Sequence, residues 1–527
     1  MNMVRPLPTG IQSFEVLREQ GYLYVDKTAL IYRLVSTYDP YFLSRPRRFG
    51  KSLLLSAFKA YFEGRKDLFE GLTISELETK WEQYPVLYLD LNAETYDSIA
   101  SLEAILSGNL RIWETLYGKD EHDDTLPRRF EGVIRRAYEK TGKRVVVLVD
   151  EYDKPMLSAI MDKELTEKYR ILLKAFYGVL KSSGQCLRFL FLTGVTKFAQ
   201  VSVFSDLNHL TDISMEDEYA SLCGITKNEL LQFFTPELEI LAVKQNIAFD
   251  EAVAQMTQQY DGYHFTFRSE GMFNPYSVLR ALKSSDFGYY WFQTGTPTYL
   301  VSLLKESDYD LRLLVDGMKL KPSDFAEYRA DIANPVPMLY QSGYLTIIGY
   351  DEEYRMCILG FPNEEVRYGF LNFLMPYYTS VTNGSGSFHI AEFCSELKIG
   401  DTDAFMERLK VFFANIPYEL NNQNEKHYQA IFYLVFTLMG EYIEPEVRSS
   451  KGRADAVVKT KDYFYVFEFK LNGSAEEAIQ QIDDKGYLIP YQSDGRKLVK
   501  IGVEFSKEER NIHRFIVKCP ERAKSSA

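Results

Sequence analysis

Tyr41-Phe42-Leu43-Ser44-Arg45-Pro46-Arg47-Arg48-Phe49-Gly50-Lys51-Ser52-Leu53 is the stretch on which the reading of this chain turns. A short apolar run ends in a polar loop, and the loop closes on Gly-Lys-Ser. Apolar residues of helical spacing follow at Leu53-Leu54-Leu55-Ser56-Ala57-Phe58. Strand, loop and helix in that order form a phosphate-binding loop, in which backbone N–H groups and the helix N-terminus make a nest for anionic oxygens. In the G-x-x-x-x-G-K-[ST] pattern, Lys51 places its charge on the β/γ-phosphates and the Ser52 hydroxyl is a Mg²⁺ ligand. Arg47, Arg48, Phe49 and Gly50 complete the nucleotide-binding loop. Arg45 stands where the first glycine of the pattern belongs.

A second segment points the same way. Lys143-Arg144-Val145-Val146-Val147-Leu148-Val149-Asp150-Glu151-Tyr152-Asp153 is a β-branched apolar run that ends in carboxylates. Such a run reads as a strand buried on both faces. Acids at its carboxyl end sit where open α/β sheets bind ligands. Asp150 is expected to hold Mg²⁺ and Glu151 to polarise the attacking water of a nucleotide-hydrolysing site. A third strand, Leu187 to Lys197, places Thr193 at the same relative height, either to sense the γ-phosphate or attacking water or as a structural hydroxyl.

With Leu7-Pro8-Thr9-Gly10-Ile11, Tyr24-Val25-Asp26-Lys27-Thr28 and Ala60-Tyr61-Phe62-Glu63-Gly64, these segments resemble the AAA-ATPase-like family of bacterial proteins. The resemblance runs through Asp150 to Pro155 and on to about Thr211, the first two fifths of the chain. In that family Arg-Pro-Arg-Arg-Phe-Gly-Lys-Ser is the usual form of the loop, so Arg45 matches the family form. The resemblance implies ATP and Mg²⁺ as cofactors. By analogy with related archaeal-type ATPases, it also implies a base pocket lined by Tyr24 to Lys27.

At 527 residues the chain is too long for one core. A charged fraction of 26% with 46% hydrophobic residues is ordinary globular composition, and 15% aromatic residues argue against disorder. A net charge of −13 restricts any nucleic-acid contact to a local patch. Five cysteines, at 186, 223, 357, 394 and 519, form no C-x-x-C pair, which suits a reducing cytosol. No signal-peptide core and no uncharged run of membrane-spanning length is present. A cytoplasmic protein without a membrane partner is expected, and oligomerisation stays open.

The segment Tyr84 to Leu91 reads as a strand inserted between the phosphate-loop strand and the acidic strand. That insertion is the arrangement of the ATPase division that carries a catalytic glutamate. Helices are expected at Ile99–Tyr117 and Arg128–Thr141, and right-handed crossovers then give a parallel sheet covered on both faces. From about Ser214 helical spacing dominates to about Leu282, with Thr226 as an N-cap. The turn-plus-aromatic segments Asp261–Phe265, Asn274–Leu279 and Tyr290–Pro297 either pack at the interface of this helical lid or touch a ligand. Tyr340–Ile347 and Arg355–Gly360 read as a hairpin of a small winged module, and Asn383-Gly384-Ser385-Gly386-Ser387 as a flexible joint.

The C-terminal part carries its own constellation. Glu444 to Arg448, Arg453 to Val458 and Tyr463 to Lys470 read as three strands joined by turns. A period of two puts Glu468 and Lys470 on one face, within reach of Asp455 on the neighbouring strand. Two carboxylates with a lysine two residues on make a compact Mg²⁺ site, in which the acids hold the metal and the lysine orients water and stabilises charge. With the following helix, Ala475 to Ile482, the pattern resembles the PD-(D/E)xK nuclease superfamily, whose Asp…Glu-x-Lys matches Asp455, Glu468 and Lys470. The resemblance implies a further metal-side acid at Glu425 on the preceding helix. It matches Gln481 and Tyr487 only loosely to a Gln–Tyr element, because their spacing is wider than in the best-known nuclease branch. Lys451, Arg453, Lys459 and Lys461 cluster on the hairpin, either to meet phosphates or as a solvated turn.

The expected fold is therefore α/β and multidomain. Residues 1–213 form the phosphate-loop ATPase domain, 214–388 a helical lid with a winged middle, and 389–527 an α+β nuclease-like domain. The expected function is an ATPase coupled to a Mg²⁺-dependent nuclease acting on DNA or RNA. The alternative is an ATP-dependent signalling or scaffold switch whose nuclease-like domain binds a partner without cutting.

Overall fold

The computed structural model describes residues 6–37, 39–92, 95–198, 210–294, 300–301, 303–304, 314, 317–328, 334–378, 383–414, 425–441, 444–447, 455–471, 473–491, 495–506, 508–509 and 511–519. Side chains at 378, 383–388, 425–430, 441, 444–447 and 490 lie outside that description. The chain divides into two compact units. The first is Met1–Asp308 with Gly317–Val366, and the second is Tyr309–Asp316 with Arg367–Ala527.

The first unit is built on a parallel sheet. Its strands are β1 (Pro40–Ser44), β2 (Val86–Asp90), β3 (Val145–Asp150), β4 (Leu187–Gly194) and the two-residue β5 (Thr211–Asp212), in spatial order β2-β3-β4-β1-β5. Every residue of β3 is buried, as its valine run demands of a strand covered on both faces. At the edge, β2 alternates between half-buried and buried residues, which leaves Tyr88 and Asp90 on the more open face. This order corrects one expectation: the strand inserted between the phosphate-loop strand and the acidic strand is β4, and β2 lies outside β3. Sequence order cannot reveal that exchange, because each parallel strand needs a crossover that can carry it past its neighbours.

The flanking helices follow their local signals. The helix Leu126–Thr141 starts at Thr125, whose side chain accepts from Arg128 N, and stops at Gly142 in the left-handed region. Helices Lys227–Gln245, Phe249–Tyr260 and Pro275–Ser284 make up the helical region, and the Thr226–Glu229 capping box opens the first of them. Their apolar faces bury Leu230, Phe234, Leu238, Met256, Tyr260 and Val278 in one cluster. A small sheet follows, ordered β6 (Met318–Leu320), β8 (Met356–Gly360), β7 (Thr346–Asp351). The expected hairpin is thus present, but its first arm begins only at Thr346. Val336–Gln341 is helical, with proline at its first turn, and the chain turns at Gly343 (φ 88°) before the β-branched residues start.

In the second unit, Asn383–Ile399 is a helix, so the Asn-Gly-Ser-Gly-Ser stretch is a helix start and not a joint. Small polar residues suit the first turn, where backbone N–H groups lack intrahelical partners, while Ile390, Phe393 and Leu397 bury the face that follows. The mixed sheet runs β13 (Asn511–Lys518), β12 (Lys497–Ser506), β11 (Tyr463–Lys470), β10 (Ala456–Lys459), β9 (Glu444–Val447). β11 and β12 are parallel, and the helix Ala475–Asp484 forms the connection between them. The expected turn at 449–452 lies outside the described residues.

Two consequences can be measured. A Cβ at Gly502 would stand 2.5 Å from the Ala475 carbonyl oxygen and 2.8 Å from Ile479, so this glycine lets the connecting helix lie directly on β12. Gly502→Ala should destabilise the second unit by about 1–3 kcal/mol in urea unfolding. In the first unit, the buried Glu365 accepts from Trp291 N and Ser277 Oγ at 2.7 Å each, and burial pushes its carboxyl up to about 8. A folded value above the unfolded one gives stability that is full below about pH 4.5 and lost as the pH rises through about 8. Glu365→Gln should therefore gain in melting temperature over the wild type as the pH is raised from 5 to 9. A constant difference across that range would rule out a titrating Glu365.

Candidate functional site

The loop between β1 and the helix Lys51–Phe62 takes the conformation of a phosphate nest. Gly50 sits in the left-handed region (φ 93°) as the helix N-cap, and Arg48 is also left-handed (φ 68°). Successive N–H groups turned inward by such a pair make an anion-binding concavity. Lys51 is buried, and its ammonium donates to the carbonyls of Arg45 (2.9 Å) and Pro46 (3.2 Å). Ser52 follows it in the first helical turn.

The helical region and the small sheet grip this loop residue by residue. The Trp291 indole donates to Arg47 O (3.0 Å), and the Arg48 guanidinium lies 5.0 Å from the centre of the Tyr276 ring. Phe49 packs edge-on against Tyr263 and Phe265. Pro46 sits so close to Gly343 that a Cβ there would meet it at 2.6 Å. Of the two roles left open for the aromatic segments, packing against the loop is the one these contacts describe.

At the carboxyl end of the sheet the acids converge. Asp150 is buried, and its Oδ1 accepts from Thr193 Oγ1 at 2.8 Å, while the Tyr88 hydroxyl lies 3.5 Å from Oδ2. Glu151 follows at φ 50°, a strained position for glutamate. Asp153, also buried, accepts from Val195 N (3.0 Å) and Thr196 N (2.6 Å). Burial pushes its carboxyl up to about 7 against those hydrogen bonds. Asp90 was passed over in the sequence, yet it ends β2 in register with Asp150. Burial raises it above the usual carboxylate range, and the charges of Asp150 and Glu151 add to the effect. Its signal was present: Asp90 is an acid at the last position of an apolar strand, as Asp150 is.

Beside Gly50 lies a cavity of about 110 Å³, lined by Tyr24, Val25, Lys27, Phe49, Leu53 and Ile225 among others. Its wall is pinned: Lys27 Nζ contacts both oxygens of Glu229 (2.6 and 2.7 Å), and Asp26 accepts from Thr28 and Thr73. Tyr24, Val25 and Lys27 thus line a cavity that also touches Gly50.

In the second unit, the antiparallel register Ala456↔Phe467 puts Asp455 across from Glu468. Asp455 Oδ2 accepts from Phe469 N at 2.8 Å. Glu468 is buried. Its Oε1 takes hydrogen bonds from Lys470 Nζ (3.3 Å) and from Gln481 Nε2, whose own Oε1 accepts from Lys470. Its Oε2 is buried without a hydrogen-bond partner among the described residues. Burial, reinforced by the Asp455 charge, pushes the Glu468 carboxyl up to about 7, although Lys470 pulls it down. A buried carboxylate oxygen with no donor, beside a second acid, fits a divalent cation. Gln481 and Tyr487 also reach the site, with Gln481 Nε2 3.5 Å from the tyrosine oxygen.

The Glu425 side chain lies outside the described residues, as do Lys451 and Arg453. Lys459 and Lys461 lie at the far end of β10 from Asp455, and Lys459 lies over Phe464 and Tyr491. The expected basic cluster on the hairpin therefore falls partly outside the described residues.

A parallel sheet with a phosphate-type loop, joined to a mixed sheet bearing an Asp…Glu-x-Lys face, defines the class of this protein. Comparison with known proteins agrees. The predicted AAA-ATPase family model matches residues 8–204, and the PD-(D/E)XK nuclease superfamily model matches residues 423–515. The chain belongs to the AAA-ATPase-like family and carries a C-terminal PD-(D/E)XK nuclease superfamily domain. An uncharacterized protein in the vnfD 5′ region of Azotobacter chroococcum mcd 1 is 36% identical over 530 residues, covering 97% of this chain and 99% of that one. Among solved structures, the Aeropyrum pernix ORC2 protein (ADPNP–ADP complexes) matches over 64% of this chain and 88% of its own, at 11% identity and a TM-score of 0.25. No helix among the described residues is long and apolar enough to cross a membrane.

If Gln481 orients the Glu468–Lys470 pair, Gln481→Ala should reduce divalent-cation affinity, read by calorimetry with Mn²⁺, by roughly 10–100-fold. Gln481→Glu should change the pH dependence of that binding as well, since it adds a third carboxyl.

Proposed function

We propose that the chain is a Mg²⁺–ATP-hydrolysing switch that controls a metal-dependent nuclease acting on nucleic acid. On this reading residues 1–213 are the ATPase domain, 214–388 the lid and winged middle, and 389–527 the nuclease-like domain. The observation that carries the nuclease half is the buried Oε2 of Glu468, without a hydrogen-bond partner among the described residues, beside Asp455 and Lys470.

The loop Arg47 to Ser52 would hold the phosphates, with Lys51 leaving its carbonyl partners for them. The cavity beside Tyr24 and Val25 would take the adenine. Ser52 and Asp150 would hold Mg²⁺, while Thr193 fixes Asp150 from one side. Glu151 would orient and polarise the attacking water. In the second unit Asp455 and Glu468 would hold the metal, with Glu425 as a further ligand, and Lys470 would orient water and stabilise the charge that develops on phosphorus. Bound Mg²⁺ supplies charge neutralisation at the phosphates and lowers the pKa of water.

A second reading, an ATP-dependent signalling or scaffold switch with a non-catalytic nuclease-like domain, is favoured by the net charge of −13, which leaves little of the surface to attract a polyanion. Labelled single- and double-stranded DNA and RNA, incubated with the purified protein and Mg²⁺ or Mn²⁺, with and without ATP, separates the two. Cleavage supports the nuclease, and its absence under every condition favours the scaffold.

Lys51→Ala should abolish ATP binding or hydrolysis, and Glu151→Gln should bind ATP but hydrolyse it about 10²–10⁴-fold more slowly. Wild-type turnover in Glu151→Gln would move the water-polarising role elsewhere, with Asp153 and Asp90 as the next groups to test. Lys470→Ala should stop cleavage and leave ATP hydrolysis intact, whereas Lys51→Ala should alter cleavage if nucleotide state controls the nuclease. Cleavage that is indifferent to both ATP and Lys51→Ala would mean that the two activities are merely tethered.

A further inference from the structure

Arg45 occupies the position of the first glycine in the general phosphate-loop pattern, and its surroundings are unusual for an arginine. It is 1% exposed. Its Nη1 donates to the carbonyls of Ser44 (2.9 Å) and Ser214 (2.8 Å), and its Nη2 to that of Tyr219 (3.2 Å). The guanidinium lies 3.9 Å from the centre of the Phe265 ring, and its Nε has no hydrogen-bond partner among the described residues. Among the described residues, every group it touches is therefore neutral. Asp212, the carboxylate that acts on it through space, is ion-paired to Lys197 at 3.0 Å.

A buried charge is ordinarily matched by a carboxylate or given up. Arginine keeps its proton at any physiological pH, so here the charge stays and is offset only by carbonyl dipoles and a ring face. Burial accordingly lowers the guanidinium to about 10. The same residue's carbonyl oxygen receives the Lys51 ammonium at 2.9 Å, so the residue that carries this charge also holds the lysine of the phosphate nest. A polyphosphate seated in the nest would bring the negative charge that this arginine lacks. Two of its carbonyl partners, Ser214 and Tyr219, also tie the first residue of the loop to the segment after β5, which fixes the loop's entry.

We infer that Arg45 is a second cationic determinant of polyphosphate affinity, a positioning residue that holds the nest in place and carries a charge that bound phosphates neutralise. This rests on the reading of the loop as an ATP site. It differs from the role of Lys51, because Arg45 acts from beneath the loop with its fork committed to carbonyls.

The test compares Mg²⁺–ATP and adenosine binding by calorimetry in the wild type, Arg45→Met, Arg45→Gly, Arg45→Lys and Lys51→Ala. Arg45→Met should lose affinity for Mg²⁺–ATP on the order of ten-fold and keep its affinity for adenosine. Arg45→Lys, which keeps the charge, should stay near the wild type. Arg45→Gly restores the glycine of the general pattern, and it too should lose ATP affinity selectively. It serves as the second variant should Arg45→Met not fold. Wild-type ATP affinity in the Met and Gly variants overturns the inference, as does an equal loss of ATP and adenosine. If the wild type itself fails to bind Mg²⁺–ATP, or Lys51→Ala binds it normally, the ATP-site reading falls and this inference falls with it.

Discussion

The resting place of the Lys51 ammonium, on two carbonyl oxygens of its own loop, is the contact around which the first unit is arranged. A buried ammonium needs acceptors, and here the chain supplies them from its own loop. On the proposed reading the lysine leaves these carbonyls for phosphate, which is feasible only if they stay put when it does, because a loop free to collapse would close the nest. Each residue from Arg45 to Phe49 is accordingly held from outside the sheet, by Ser214 and Tyr219, Gly343, Trp291, Tyr276, and Tyr263 with Phe265. The helical region thus completes the nest, and no isolated sheet would hold it in this shape.

The two acidic centres handle burial differently. Asp150 is given a neutral donor, the Thr193 hydroxyl, which satisfies one oxygen without adding charge. Asp153 is given two backbone N–H groups and is used as a strut between the β3 and β4 ends. Glu468 shares one oxygen between Lys470 and Gln481, and its other oxygen has no hydrogen-bond partner among the described residues. On the proposed reading that oxygen is where a divalent cation would sit. Gln481 is neutral and hydrogen-bonds both members of the Glu468–Lys470 pair, which fixes their geometry without adding charge.

Much of this was legible in the residues, for identifiable reasons. The valine run before Asp150, the Gly-Lys-Ser loop and the Glu-x-Lys face are local patterns, and a strand period or a helix start is sufficient to place their side chains. The Thr226 cap and the hairpin ending at Gly360 were readable on the same grounds. What escaped were properties of the folded neighbourhood. The exchange of β2 and β4 is a matter of which crossover passes which strand. The helix at Asn383 begins in residues that, taken alone, favour a loop, and the apolar face of Ile390, Phe393 and Leu397 carries it.

Asp90 shows where local reading stops and geometry takes over. Its position at a strand end was visible, but its meaning depends on lying beside β3 rather than beside β1. Parallel pairing in register turns its carboxyl toward the face that Asp150 uses, and the charges of Asp150 and Glu151 add to burial in raising Asp90. A half-buried acid beside a buried one gives up its proton less readily unless a cation joins them. The sheet order therefore does more than support the site. By placing β2 outside β3, it sets the number of negative charges that a bound cation would meet at the carboxyl end.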